Sequence, residues 1–291
     1  MKSKSINEGF INLIRTTAIV YSRLPIKPFH GFLGRLYQKY RAKDRQRIAI
    51  AKVDGITYEL DLRELIDSSI YYVGCFELST TAVIDRYVKS GMTALDIGAN
   101  VGCHTLRLAK LVGNNGKVIA FEPMSWALLK LKRNIALNSF HNIIVEKIAL
   151  SDTSSKQSAF FRTSWPLGAI QLNRGVKEEI DFVTLDDYIR VNRIDRIDFI
   201  KLDVDGYEYK VIRGGVDTIG KFRPVMIIEL GKYTLKSFGD SLENLIDLLA
   251  SLGYSFYSEK NFKQYKSKES LLQAVPEDAT INVICKSQER R

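Results

Sequence analysis

Residues 93–105 read Thr-Ala-Leu-Asp-Ile-Gly-Ala-Asn-Val-Gly-Cys-His-Thr, and they change character twice. Thr93–Ile97 is a short apolar run with one acid, which predicts a β-strand. Gly98-Ala99-Asn100-Val101-Gly102 is a tight turn, and residues 103–112 have helical spacing. Glycines in such a strand–turn–helix let the backbone bend sharply and approach a ligand. A nicotinamide or flavin site would carry G-x-G-x-x-G here, with a pyrophosphate on the helix N-terminus. The loop reads G-x-N-x-G instead and follows Asp96. That carboxylate would repel a pyrophosphate, and it would attract a cationic ligand or accept its hydrogen bonds.

Outward from this loop the chain alternates. Apolar strands are predicted at 93–97, 117–121, 142–148, 199–202 and 224–230, with later strand-like runs at 254–257 and 281–285. Helical stretches fall near 103–112, 126–138, 205–215 and 240–252. Short β-runs separated by helices imply βαβ units on a parallel sheet. Residues 155–184 break the rhythm, with β-like Ala159-Phe160-Phe161 and Phe182-Val183 around a turn-rich Trp165-Pro166-Leu167-Gly168. This is expected to be an insertion beside the ligand edge of the sheet. Upstream, alternating runs flank Asp54-Gly55 and predict a hairpin, and a helix is expected from Ser79 to Lys89. Three units follow: 1–47, a basic amphipathic helical segment; 48–90, hairpin and helix; and 91–291, the α/β domain.

Acids recur where these strands end. Glu122 closes Ala120-Phe121-Glu122-Pro123, past the Gly-rich loop, where a carboxylate suits the two hydroxyls of a ribose. Asp152, in Ala149-Leu150-Ser151-Asp152, is placed to meet an adenine amino group, or else to cap a turn. Phe199-Ile200-Lys201-Leu202-Asp203-Val204-Asp205-Gly206-Tyr207-Glu208 ends a buried strand in three acids. Asp203 there could serve as a base, a substrate ligand or a metal ligand; Asp205 or Gly206 could cap the next helix. Glu229 is a further strand-end acid. Of three histidines, only His104 neighbours the Gly-rich loop, and Thr105 beside it could hydrogen-bond a ligand carboxylate.

Composition removes other classes. The 291 residues contain no run long enough to span a membrane. Three cysteines without C-x-x-C spacing argue against a disulfide framework or a zinc site and fit a reducing cytoplasm. The net charge of +10 lies in the first 52 residues, which hold twelve Lys and Arg against Glu8 and Asp44; the remainder is neutral. Such a basic stretch, interleaved with Phe, Ile, Leu and Tyr, is expected either to pack on the domain or to dock on an anionic membrane surface.

Taken together, DIGANVGCHTLRLA (96–109), KVIAFEP (117–123), ALSD (149–152), TLDDYI (184–189), IDFIKLDVDGYEYKVIRGG (197–215) and RPVMIIEL (223–230) resemble the FkbM family of S-adenosylmethionine-dependent methyltransferases. The resemblance covers about residues 55–260, and Tyr72–Glu77 resembles the segment that leads into that family's core. It implies an α/β, class I methyltransferase (Rossmann-like) fold: a seven-stranded, mostly parallel sheet with its last strand reversed and helices on both faces. It also implies that Asp96, Gly98, Asn100 and Gly102 hold the methionine part of S-adenosyl-L-methionine. Glu122 would hold the ribose and Asp152 the adenine end. Glu77, Asp203 and His104 would border the methyl group and the acceptor. The family commonly has Glu where this chain has Asp205, so Asp205 is left out of the site.

Since several members methylate sugar hydroxyls or macrolides, the resemblance favours O-methylation of a glycan, glycolipid or related natural product. A hydroxyl is a weak nucleophile and needs a positioned proton acceptor; Asp203 is the first candidate and His104 the second. A divalent cation at Asp203 and Glu229 is the less favoured route. An RNA ribose methyltransferase, with the basic segment gripping phosphate, and an inactive cofactor-binding scaffold are the alternatives. The paired prolines typical of base methylation are missing, and the glycine pattern disfavours a nicotinamide oxidoreductase. The protein is expected in the cytoplasm, with a peripheral hold on the membrane's inner face.

Overall fold

The computed structural model describes residues 48–162 and 175–287. The helices expected near 5–24 and 31–46, and the turn at 165–168, lie outside them.

The chain opens with β1 (Ile48–Val53) and β2 (Ile56–Asp61), an antiparallel hairpin in which Val53 opposes Ile56. Asp54 and Gly55 both have positive φ (48° and 80°), as the expected two-residue turn requires. Its alternation buries Ala49, Ala51, Val53, Ile56, Tyr58 and Leu60 against Ile70 and Leu106. There follow α1 (Leu65–Val73), α2 (Leu78–Tyr87), β3 (Thr93–Ile97), α3 (Cys103–Val112), β4 (Lys117–Phe121), α4 (Ser125–Ala136) and β5 (Ile143–Glu146). Next come β6 (Ala149–Ser151), β7 (Ser155–Arg162), β8 (Gly175–Thr184), α5 (Leu185–Val191), β9 (Phe199–Leu202), α6 (Glu208–Arg213), α7 (Val216–Phe222) and β10 (Val225–Gly231). The chain then runs through α8 (Lys232–Ser237), α9 (Leu242–Ser251), β11 (Tyr254–Ser258), α10 (Lys268–Ala274) and β12 (Thr280–Ser287).

Seven strands form the main sheet in the order β11-β12-β10-β9-β3-β4-β5. The pairs β10–β9, β9–β3, β3–β4 and β4–β5 are parallel, whereas β12 runs antiparallel to β10 and β11. The seven-stranded sheet with a reversed last strand is therefore as expected. One face packs Leu95, Ile97, Ile200, Leu202, Ile228 and Leu230 into the larger core. The other carries Ala94, Phe199 and Ile227 against Val83, Ile84 and Leu108.

Two local readings change. The strand expected over 142–148 stops at Glu146, and β6 leaves the main sheet to pair in parallel with β8. With β7 antiparallel to β8, this makes a separate three-stranded sheet of the 155–184 region. Ile180 and Phe182 of β8 pack on Met124 and Tyr207, which keeps the insertion beside the strand ends. The helix expected over 205–215 is the shorter α6, and a further helix, α7, follows it. They part at Gly214, where an added Cβ would lie 2.0 Å from the Ser151 carbonyl oxygen; the backbones meet too closely for any side chain.

Candidate active site

The carboxyl ends of β3, β4, β9 and β10 lie side by side, and the predicted residues gather there. The β3–α3 turn is drawn over the sheet because Gly98 and Ala99 N–H both donate to the Phe121 carbonyl (3.1 and 3.0 Å). Gly98 has φ +84°, and a Cβ there would fall 1.8 Å from the Asp203 carbonyl oxygen. Gly98 is thus required twice, by its backbone angle and by contact with the loop after β9. Asn100 is also left-handed (φ 48°), and Gly102 is the N-cap residue of α3.

Asp96 is fully buried. Its Oδ2 accepts a 2.6 Å hydrogen bond from Thr105 Oγ1, so Thr105 braces this acid. Glu122 is nearly buried, and its two oxygens accept from Asn100 N–H and Met124 N–H, both at 2.8 Å. Burial raises its pKa to about 7, although those two N–H groups pull it down.

Five further groups are gathered at this end of the sheet. Glu77 sits at the N-cap of α2 with φ 51°, and its Oε2 lies 3.3 Å from His104 Nε2. Burial would raise the Glu77 carboxyl, but the hydrogen bond and charge of His104, the charge of Lys201 and a hydrogen bond with Asn282 together outweigh it, and the pKa is lowered. Asp203 is partly exposed, with Oδ2 3.0 Å from Lys201 Nζ. Asp203, Asp205 and Glu229 bring carboxylate oxygens within 4.8 Å of one another. Burial, and then the charge of Asp203, push Glu229 up to about 9; Thr280 Oγ1 donates to it at 2.7 Å.

Sequence reasoning gave no role to Lys201 or Glu208. Lys201 stands beside Asp96 in the β3–β9 register, and its ammonium donates to the Gly98 carbonyl at 3.2 Å. A lysine inside the four-residue strand FIKL is the one available signal. Glu208 is buried, and its Oε1 accepts from Val204 and Gly206 N–H (3.0 and 3.2 Å). It shapes the loop that carries Asp203 and Asp205. Asp152 follows β6, not a strand of the main sheet, and its carboxylate pairs with Arg213 of α6. Burial raises the Cys75 and Cys103 thiols to about 11 and about 12, which makes both poor nucleophiles.

A parallel sheet with one reversed strand, a Gly-rich turn on its first βα unit and acids on the neighbouring strand ends define a class I methyltransferase. The Methyltransferase FkbM domain model matches residues 96–256, and the chain belongs to that family. It is a methyltransferase whose methyl donor is S-adenosylmethionine.

Similar solved structures include a methyltransferase FkbM from Methylobacillus flagellatus KT (15% identity, 89% of this chain, 60% of that one, TM-score 0.42). A SAM-dependent methyltransferase from Aquifex aeolicus is 16% identical over 76% of this chain and 94% of that one, TM-score 0.40. An rRNA methylase from Streptococcus thermophilus is 11% identical over 72% and 93%, TM-score 0.41. No curated protein matches the chain.

The residues fit the donor. Asp96 Oδ1, Asn100 Oδ1 and His104 Nδ1 are buried without a hydrogen-bond partner in the protein. Buried polar atoms are seldom left unsatisfied, and these three flank one loop. Asp96 and Asn100 offer two acceptors to an amino acid, and Glu122 offers a carboxylate to a ribose.

Proposed function

We propose that the protein is an O-methyltransferase acting on a hydroxyl of a sugar in a glycan, a glycolipid or a related natural product. Asp96, Gly98, Asn100 and Gly102 hold the methionine part of the donor, Glu122 its ribose, and Asp152 the adenine end. The observation that carries the acceptor class is the acidic rim of Asp203, Asp205 and Glu229, whose oxygens lie within 4.8 Å of one another. Such a rim accepts hydrogen bonds from a polyol and repels a phosphate backbone.

Bound S-adenosylmethionine supplies a methyl group already activated on a sulfonium, so the protein's task is alignment and removal of one proton. Asp203 is held by Lys201 and orients the acceptor hydroxyl. His104 has one ring nitrogen against Glu77 and the other without a partner. This is a base with its orienting group. The basic stretch before residue 48 would keep the enzyme on an anionic membrane surface, near glycolipid acceptors. Among the described residues no helix is long and apolar enough to cross a membrane.

The test is mass spectrometry of glycolipids and polysaccharides from cells with and without the gene. One sugar lighter by a CH2 unit in the deletion strain supports the reading. An unchanged glycome beside a lost ribose methylation in RNA overturns it. Asp203→Ala should still bind the donor, within about tenfold of wild type, and lose turnover. Liposome co-sedimentation of the full chain, against one starting at Ile48, tests the membrane contact.

A further inference from the structure

Asp96, Lys201 and Glu229 all lie on the sheet face that carries the Glu77–His104 pair, and Lys201 is the ammonium among these acids. Lys201 is almost fully buried. Its Nζ lies 3.0 Å from Asp203 Oδ2 and 3.9 Å from Asp96 Oδ1. Burial alone would lower its pKa. The charges of Asp203, Asp96 and Glu77 outweigh that and raise it, so the ammonium keeps its proton at every working pH.

We infer that Lys201 sets how strongly the site distinguishes the charged donor from its demethylated product. The two ligands share one skeleton and differ by a methyl and a unit of positive charge on sulfur. A site lined by Asp96, Asp203 and Glu77 alone would hold the sulfonium far more tightly than the neutral thioether. Lys201 offsets part of that field, so donor and product are held with closer affinities. The inference rests on the placement of the donor beside Asp96 and Asp203.

Isothermal titration of the full chain at pH 8 with S-adenosylmethionine and S-adenosylhomocysteine tests it without any acceptor. The readout is the ratio of product Kd to donor Kd. Lys201→Met should raise that ratio about tenfold, the effect of one unit charge acting across roughly 10 Å of partly screened protein, and Lys201→Arg should leave it within about twofold of wild type. Asp203→Asn, at a partly exposed position that tolerates the change, should lower the ratio. A Lys201→Met protein that weakens both ligands equally, or an Asp203→Asn ratio that does not fall, overturns the inference and leaves Lys201 a structural ion pair. Wild-type protein that binds neither ligand overturns the donor's placement instead, and is seen before any variant is made.

Discussion

The two faces of the central sheet use the same strands for opposite purposes. Leu95 and Ile97, Ile200 and Leu202, and Ile228 and Leu230 enter the larger hydrocarbon core. Their immediate neighbours Asp96, Lys201 and Glu229 project from the other face. Strand alternation allows this, since successive side chains leave on opposite sides. One face can be made of interchangeable hydrocarbon. The other is built of charges that each need a specific partner, so stability and ligand binding should separate between them.

The largest effect expected is on the charged face. Asp96→Ala should weaken S-adenosylmethionine binding by about 100-fold or more, as loss of a charge-assisted contact does, measured by isothermal titration. Ile200→Ala, one residue from Lys201, should behave in the opposite way. It should cost about 3 kcal/mol in urea unfolding and leave the affinity of the folded protein unchanged. If Ile200→Ala lost affinity as Asp96→Ala does, the separation of the faces would fail.

A smaller effect is pH-dependent. Glu122 is raised to about 7 by burial, and it accepts ribose hydroxyls best when ionised. Donor affinity should rise about tenfold between pH 6 and pH 8, and Glu122→Gln should flatten that rise at lower affinity.

Stability of the ligand-free protein should move the other way. Burial raises Glu208 and Glu122 to about 7 and Glu229 to about 9. A carboxyl whose folded pKa lies above its unfolded value stabilises fully below about pH 4.5. That contribution is lost as pH rises through the folded pKa. The urea midpoint should therefore fall from pH 5 to pH 8, and Glu208→Gln should make the fall shallower. The smallest effect expected is at Arg63, exposed and paired with Asp61: Arg63→Ala should change stability by less than about 0.5 kcal/mol.

Much of this arrangement was legible in the sequence. Asp96 could be placed because it lies near the end of an apolar strand, and Glu122 and Asp203 because each follows one; strand ends share one edge. The hairpin was legible in Asp54-Gly55. Contacts between distant residues were not. Nothing local says that Glu77 meets His104, or that Lys201 reaches the Gly98 carbonyl. The run Asn142–Ile148 reads as one continuous strand in the sequence. The break after Glu146 depends on β8, far along the chain, which offers β6 its partner. The division of α6 from α7 likewise depends on where Gly214 meets Ser151.

The hairpin has one more consequence. Thr57 N–H donates to Asn138 Oδ1 (2.9 Å) and Glu59 N–H to Asn134 Oδ1 (2.8 Å). Two side-chain amides, Asn134 of α4 and Asn138 just past its end, thus stand where a third strand would otherwise hydrogen-bond. An open strand edge invites another chain to add to it. Here Thr57 and Glu59 have no backbone N–H left to offer, so on this side the ribbon is closed to strand addition by a second molecule.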